Sequence, residues 1–512
     1  MQIFKIILLL KIIFLITEYA YLKYSLNISH YNLNNKDDSN IIEKKAKTCN
    51  HNYEFSKLIK PPNFNEEGLQ LFTCKYCKNI IFKPVKKLIK ENYEIKEKHN
   101  NEMFDDSYQL INEFDFKELS PLNCTGYPRL LRLSDYWNNI WLLGGNFGNN
   151  VGCRISLDQG LTWSEPIEIS RFPNHICSNI DLFELSNHEI ISSFRAVGKD
   201  SNFNRNIKYN RALGCSISHD GGYTWENLGS IVDNYELSFQ LGKTLKEAKK
   251  VCHNEMRIGF FEPFVIEINN KVTVFYADDF TPNLNKTING DNYKIQNIYT
   301  QTLNLNTYKW SNERKIIMDG SEKKSPTGSG LKNRISRDGM PVVAKMKDGT
   351  YVLVFEGTYR DMDYPELTGN YLGHHKWFEI LLSYSKDGII WSNPIEIYVS
   401  KFNGTKSSAP FVLCNEKNQL IVSFQTDEDY YRHGYKGDKY SIMKVMISKP
   451  GIPIEKINKN SFYALCNNNK TPIGMSSIWN GMMLIGDILY TCSSDNSIKY
   501  SKLPSYYEYK EK

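Results

Sequence analysis

Two stretches, SLDQGLTW at Ser156–Trp163 and SHDGGYTW at Ser218–Trp225, follow one pattern, S-x-D-x-G-x-T-W. Their aspartates, Asp158 and Asp220, stand sixty-two residues apart. The pattern is typical of a tight turn, because a short acidic side chain accepts hydrogen bonds from the backbone N–H groups of its own turn. The glycine tolerates positive φ, and the tryptophan anchors the turn in a core. Such a unit, recurring every roughly 40–70 residues, predicts a β-propeller.

A longer pattern repeats at the same scale between residues 127 and 495. Each copy is an apolar strand, a polar turn such as NNK or KDG, and a second apolar strand, which is the signal of a β-hairpin. The near-identical tails WSEPIEI (from Trp163) and WSNPIEI (from Trp391) add independent evidence of repetition. The sequence therefore predicts an all-β, six-bladed β-propeller over residues 118–507, with four short antiparallel strands in each blade. The six copies begin at Tyr127, Asn179, Glu262, Met340, Ala409 and Ser477.

The composition agrees with a large all-β protein. Of 512 residues, 41% are hydrophobic and 13% aromatic, which is enough to bury a large core and favours strands. The formal net charge is +6, which is too dilute over this length to predict a nucleic-acid partner.

The chain begins with a basic and apolar segment at residues 1–22. The apolar stretch is short and is interrupted by Lys11, so a secretory signal peptide is a better prediction than a spanning helix. Glu18 and Tyr19 make a poor cleavage site before Ala20, which leaves an uncleaved membrane anchor as the alternative. Either reading predicts a secreted protein or one anchored facing outward. Residues 23–45 are polar, rich in Asn and Lys, and predict a disordered linker.

Residues 46–88 contain four ligand-type side chains, Cys49, His51, Cys74 and Cys77. Their number and type suit tetrahedral zinc, and the C-x-H…C-x-x-C pattern resembles small zinc-ribbon modules. Disulfides among the same cysteines are the alternative, because an oxidising compartment favours them. The expectation is a small Cys/His module with a structural zinc and no cofactor for catalysis, followed by a charged linker at 89–117.

Charged residues recur at equivalent places in the predicted blades, just before the inner strand or just after its hairpin partner. Such positions are expected to converge near the propeller axis. Glu262 lies between Phe261 and Pro263, and Glu356 ends the apolar strand YVLVFEG, so both carboxylates are predicted to have raised pKa values. The full set is Arg129, Arg195, Glu262, Asp278, Asp279, Arg337, Asp338, Glu356, Asp427 and Glu428.

The repeated turn is the Asp-box, and six blades carrying it resemble the sialidase superfamily. The chain has GYPRLLRL where sialidases have an F/Y-R-I-P motif. Its blocks YPRL, FEPF, RDGMPVVAKMKDGTYVLVFE and SFQTDED are more similar to the exo-arabinanases of glycoside hydrolase family 93, over about residues 120–500. Phe261 stands where that family has a tryptophan.

This resemblance implies a secreted, exo-acting, retaining glycoside hydrolase with an arabinan-like substrate. Glu262 would be the acid/base and Glu356 the nucleophile. Arg129, Arg195, Asp278, Arg337, Asp338 and Asp427 would bind the sugar.

Two other functions stay open on the sequence. A non-catalytic propeller would use the same charged residues to bind a glycan or a protein. A sialidase-type enzyme would need a tyrosine nucleophile and three converging arginines, for which Arg129 and Arg195 with Arg337 or Arg360 are the candidates.

Overall fold

The computed structural model describes three strands within residues 53–85 and most of residues 108–508. The predicted signal peptide, the linker at 23–45, and Cys49, His51 and Cys77 lie outside the described residues. Cys74 ends a strand of which only the backbone is described, so zinc or disulfide bonding in this module stays a prediction. Within 108–508 the segments not described are 111–112, 123, 125, 171, 173, 200–208, 255–257, 286–294, 321–334, 361–377, 401–404, 432–439, 468–476 and 496.

The chain divides into two compact units, residues 1–97 and 98–512. The first contains a three-stranded antiparallel sheet whose middle strand is Gly68–Cys74. Its neighbours are Tyr53–Lys60 and Ile80–Val85.

The second unit is the predicted all-β, six-bladed propeller. Six antiparallel sheets follow one another along the chain, and the inner strands of consecutive blades contact each other in a closed ring. Blade 1 consists of Arg129–Arg132, Trp141–Phe147, Asn150–Ser156 and Ile167–Glu168. Blade 2 consists of His175–Glu184, Ile190–Gly198, Arg211–Ser218 and Glu226–Asp233. Blade 3 consists of Phe260–Ile268, Lys271–Asp278, Asn297–Asn304 and the two short outer strands Lys309–Trp310 and Lys315–Met318.

The remaining blades repeat this order from the inner to the outer strand. Blade 4 consists of Ile335–Ser336 and Gly339–Lys345, then Tyr351–Arg360, Phe378–Ser385 and Ile395–Tyr398. Blade 5 consists of Ser407–Cys414, Leu420–Thr426, Ile442–Ser448 and Phe462–Asn467. Blade 6 consists of Gly481–Ile485, Ile488–Cys492, Ser497–Lys502 and Lys117–Pro121.

The outer strand of blade 6 comes from the start of the propeller, so the ring is closed by the two ends of the domain. Ile498 pairs with Ser120, and Tyr108–Leu110 pairs with Tyr506–Glu508. Within the predicted linker at 89–117, Tyr108–Leu110 is a strand of this separate two-stranded sheet, and Lys117 begins the outer strand of blade 6.

Helices connect the blades at a few places, which the sequence patterns did not predict. The longest described helices, Asn234–Gln240 and Leu245–Asn254, lie between blades 2 and 3, and the first is capped by the Asp233 carboxylate. No helix among the described residues has the length and apolarity that a membrane span needs. The shorter helices are Asp135–Trp137, Phe280–Asn285, Glu428–Tyr431, Ile454–Lys456 and Lys459–Ser461.

The two quoted motifs form the predicted turns. Asp220 accepts hydrogen bonds from Thr224 N at 2.8 Å, Thr224 Oγ1 at 2.6 Å and Ser218 Oγ at 2.9 Å. Asp158 makes the same bonds with Thr162 and Ser156. Each turn joins the third strand of a blade to its outer strand, so these carboxylates are structural and lie away from the inner strands.

The described cysteines of the propeller are free thiols, and most are buried. They are Cys124, Cys153, Cys177, Cys215, Cys252, Cys414 and Cys492. No group of three or more His, Cys, Asp and Glu residues in the described part could hold a metal ion.

Replacing Asp220 with alanine is expected to lower the free energy of unfolding by about 1–2 kcal/mol, because a turn N–H and two hydroxyls lose their acceptor. Urea unfolding monitored by tryptophan fluorescence measures the change. Asp487→Ala is the control, because the side chain of Asp487 forms an exposed ion pair with Lys502 at 3.3 Å, and such pairs contribute little. Equal stability of the two variants would contradict the structural role of the turn.

Candidate active site

Each blade has one residue with a left-handed backbone at the same place, in its inner strand or just before it. In blades 2 to 5 this residue lies within a shift of the register between the first two strands. In blades 1 and 6 it lies two residues before the inner strand. A left-handed non-glycine residue is uncommon, and six at equivalent places mark a repeated β-bulge. The six bulge residues are Tyr127 (φ 53°), Asn179 (55°), Glu262 (51°), Met340 (49°), Ala409 (50°) and Trp479 (57°).

A second position in each blade faces the same bulge. It is the residue on the second strand that pairs with the residue before the bulge. In blades 2, 4 and 5 this residue is Arg195, Glu356 and Gln425. In blade 3 it is Ala277. Two positions per blade therefore supply the side chains around the axis.

Glu262 is the bulge residue of blade 3 and is partly exposed. Its Oε2 accepts a hydrogen bond of 3.0 Å from the backbone N–H of Met340, the bulge residue of blade 4. Burial raises the pKa of the Glu262 carboxyl above its usual range, while Arg337, the Met340 N–H, Arg195 and Arg129 oppose that rise. Three guanidinium groups thus favour the ionised form of this carboxylate.

Glu356 repeats this arrangement one blade further on. Its side chain is buried, and its Oε2 accepts a hydrogen bond of 2.8 Å from the N–H of Ala409, the bulge residue of blade 5. Burial raises the pKa of Glu356 well above its usual range, and the negative charge of Glu262 raises it further. The Ala409 N–H, Arg337 and Lys406 oppose this rise only in part.

The two carboxylates lie on either side of Gly339. A Cβ on this residue would stand 3.2 Å from Glu356 Oε1 and 3.5 Å from Glu262 Oε2. The separation of these two oxygens cannot exceed the sum of those distances. Two carboxylates within this distance repel each other's charge, so we expect the pair to hold one proton over a range of pH.

Three of the predicted sugar-binding residues lie around this pair. Arg195 is stacked 4.2 Å over the ring of Phe261, and burial lowers its pKa to about 10. The charge of Arg337 acts on both glutamates. The guanidinium of Arg129 is buried, where it donates to the carbonyl oxygens of Pro128 (2.9 Å) and Asn480 (3.1 Å) at the seam between blades 1 and 6.

Three other predicted residues make hydrogen bonds with groups other than this pair. Asp278 is buried and bonds to Thr281 and Arg314. It pairs with Phe260, one residue beyond the position that faces the bulge, and a one-residue step points a side chain to the other face of a strand. Asp427 lies two residues beyond Gln425 and accepts a hydrogen bond of 2.9 Å from the N–H of Lys406. Asp338 is fully buried, and its N–H donates to the carbonyl of Gln296 at 3.0 Å.

Two aromatic residues at the axis were missing from the predicted site. Tyr127 is buried, whereas Trp479 is 38% exposed, and their ring centroids are 6.3 Å apart. Gly126, next to Tyr127, has a φ of 143°, a backbone conformation that residues with a side chain rarely adopt. Tyr127 opens the first repeat copy and Trp479 lies near the start of the last, so the repeat itself was the signal for both.

Comparisons with known proteins give structural similarity only. A scan against protein-family models and a search of the curated proteins find no match. An α-L-arabinofuranosidase from Fusarium graminearum is 17% identical, with a TM-score of 0.46 over 77% of this chain and 98% of that one. An α-L-arabinanase from Penicillium chrysogenum, complexed with arabinobiose, is 18% identical, with a TM-score of 0.45 over 78% and 99%. A Hadza microbial sialidase is 11% identical, with a TM-score of 0.43 over 74% and 65%.

The raised pKa of Glu356 predicts a pH-dependent effect of Glu356→Gln on stability. A carboxyl with a raised pKa stabilises the folded state below its unfolded-state pKa, and this contribution is lost as the pH rises through the folded-state pKa. The amide escapes that loss, so the variant is expected to gain more than about 1 kcal/mol over the wild type between pH 4 and pH 9.

Chemical denaturation across this pH range measures the difference. Glu118→Gln is the control, because Glu118 is exposed on the outer strand of blade 6. A Glu356→Gln effect as small and as independent of pH as that of the control would contradict the shared-proton pair.

Proposed function

We propose that the protein is a glycoside hydrolase in which Glu262 is the nucleophile and Glu356 the acid/base. The observation that carries the proposal is the pair itself: two carboxylates on neighbouring blades, close enough to influence each other's ionisation and under the positive charge of arginines. Hydrolysis of a glycosidic bond needs one protonated and one ionised carboxyl group on either side of the bond. A pair that holds one proton supplies both forms at once.

The spacing supports a retaining mechanism. Retaining enzymes place their carboxyl groups about 5–5.5 Å apart, and inverting enzymes about 6.5–9.5 Å apart. The bound that Gly339 sets on the two facing oxygens is compatible with the shorter separation.

The charges around the pair support a particular division of roles. Glu262 faces three guanidinium groups and is the better candidate for the ionised nucleophile. Glu356 faces the charge of Glu262 and is the better candidate for the protonated acid. These roles are the reverse of those that the family resemblance implies.

The proposed reaction has two steps. The Glu262 carboxylate attacks the anomeric carbon while the bond to the leaving oxygen breaks, and that oxygen takes the proton of Glu356. Glu356 then removes a proton from water, the resulting hydroxide attacks the anomeric carbon, and the bond to Glu262 breaks. The carboxyl groups return to their starting state.

The partner proposed is a carbohydrate, with an arabinan-like chain favoured and exo action expected from the sequence resemblance. The exposed ring of Trp479 beside the axis supports a sugar ligand, because the apolar face of a sugar ring stacks on aromatic side chains. Secretion also stays a proposal from the sequence.

The charge distribution favours hydrolysis by carboxylates over a sialidase-type reaction. A sialidase would direct three arginines at the carboxylate of its substrate, whereas Arg129, Arg195 and Arg337 act on the chain's own Glu262. Burial raises the pKa of Tyr127, the tyrosine beside these arginines, far above its usual range, which makes its phenol a poor nucleophile.

Product analysis on a panel of arabinans, other plant polysaccharides and sialosides tests the proposed function. We expect a single released sugar or disaccharide from an arabinan-type substrate, and loss of about 10³-fold or more in kcat for Glu262→Ala and Glu356→Ala. Glycan binding without turnover by the wild type would favour the non-catalytic propeller instead. Full activity of both variants would remove the pair from the mechanism.

Azide rescue of the two variants tests the division of roles on an aryl glycoside with an activated leaving group. In Glu262→Ala, azide is expected to replace the nucleophile and give a glycosyl azide of inverted configuration. In Glu356→Ala, the first step survives without an acid, and azide is expected to give the retained configuration. NMR of the products distinguishes the two, and the opposite pattern would restore the roles implied by the resemblance.

Trp479→Ala is expected to raise KM by about tenfold and leave kcat within a few-fold, because stacking contributes mainly to ground-state binding. Steady-state kinetics on an oligosaccharide measure both constants. Tyr223→Ala is the matched control, since Tyr223 is a similarly exposed aromatic residue at 45% but lies in the outer turn of blade 2. Equal effects of the two substitutions would remove Trp479 from the binding site.

A further inference from the structure

Gln296 is a buried amide whose hydrogen-bonding groups are unused. Its side chain is 1% exposed, and neither its Oε1 nor its Nε2 has a hydrogen-bond partner among the described residues. A buried polar group without a partner costs about 1–3 kcal/mol. Such a residue stabilises nothing through its amide, which suggests a use other than folding.

Gln301, five residues further along the chain, shows the ordinary alternative. Its Nε2 donates to the carbonyls of Ser311 (2.7 Å) and Ile231 (3.2 Å), and its Oε1 accepts from Tyr276 Oη at 2.6 Å. Both glutamines are buried in blade 3, so burial alone does not explain the unused amide of Gln296.

The backbone fixes Gln296 beside the carboxylate pair. It forms a bridge with Arg337, and its carbonyl accepts the N–H of Asp338, so it holds the segment that leads into Gly339. Its Oε1 lies 3.5 Å from the point where a Cβ on Gly339 would stand, and that point is the one flanked by Glu356 Oε1 and Glu262 Oε2. The amide and both carboxylates therefore meet around one glycine.

An amide suits a pair of carboxyl groups that exchanges one proton. Its oxygen can accept a hydrogen bond from the protonated carboxyl, and its NH₂ can donate to the ionised one. A half-turn about the last side-chain torsion exchanges the two groups. Lysine or aspartate in its place could only donate or only accept, and would fix the proton on one side.

We infer that Gln296 is a positioning residue for Glu262 and Glu356: its amide is unpartnered among the described residues as it stands, and a half-turn of its last torsion lets the N–H donate to whichever carboxylate is ionised. The effect that we expect on the kinetics rests on the proposed function. The effect that we expect on the titration of Glu262 and Glu356 does not. A donated hydrogen bond favours the ionised form, so loss of the amide is expected to raise the lower pKa of the pair. The charged and titratable groups around the pair include Arg129, Arg195, Arg337, Lys406 and, through its phenol, Tyr127. The buried Asp181 pairs with Arg129 at 3.8 Å and accepts the N–H of Val265 on the strand that carries Glu262.

The test compares Gln296→Met with Gln301→Met in the full-length protein. We expect Gln296→Met to lower the melting temperature less than Gln301→Met, because the Gln296 amide makes no hydrogen bond to the surrounding framework that the structure describes, whereas the Gln301 amide makes three. Infrared difference spectra of the carboxyl groups, recorded without substrate, are expected to show the lower pKa of the pair about one unit higher in Gln296→Met and unchanged in Gln301→Met.

Kinetics then report on catalysis. In Gln296→Met, kcat/KM is expected to fall about tenfold to a hundredfold and its acidic limb to move to higher pH, whereas Gln301→Met keeps the wild-type profile. An unshifted titration in Gln296→Met, or a drop in melting temperature as large as that of Gln301→Met, would overturn the inference. A shifted titration in a protein that hydrolyses no glycan would keep the inference and overturn the proposed function.

Discussion

The site depends on a hydrogen bond that crosses from one blade to the next beside the axis. The N–H of a bulge residue on one blade points at a side-chain oxygen of the preceding blade. Met340 donates to Glu262, Ala409 donates to Glu356, and Trp479 donates to Gln425 at 2.9 Å. The left-handed bulge turns this N–H out of its own sheet, because a bulge leaves one residue unpaired with its neighbouring strand.

This geometry explains how a closed ring of sheets holds two buried carboxylates in place. A carboxylate that accepts a hydrogen bond from a backbone N–H has its orientation fixed by the fold. This bond replaces one of the hydrogen bonds that the carboxylate would make with water. The arginines add charge without being mobile: Arg129 is held by carbonyls, and Arg195 lies over Phe261. The residues that hold the site in place are therefore also those that set its charges. One glutamate is held in the ionised form and the other in the protonated form.

The sequence predicted the fold closely because the blades repeat. Five of the six bulge residues are the first residues of the repeat copies, and in the sixth copy the bulge residue is Trp479, two residues after Ser477. The same repeat singled out Glu262 and Glu356, whose catalytic roles are a proposal. Asp278 lies one residue beyond the position that faces the bulge of blade 3, and a hairpin pattern does not resolve a shift of one residue, which reverses the side chain. Gln296 was missed because it precedes the third strand of blade 3, outside the inner hairpins that repeat.

Covalent trapping tests the central claim, that the paired glutamates at the axis perform the chemistry. The protein is incubated with an activated 2-deoxy-2-fluoro glycoside of the sugar that it releases, and the labelled peptide is identified by mass spectrometry. The account predicts one sugar per chain, attached to Glu262, with no labelling of Glu262→Ala. A label on a residue outside the Glu262/Glu356 pair, or turnover of the reagent that persists in Glu262→Ala, would contradict it.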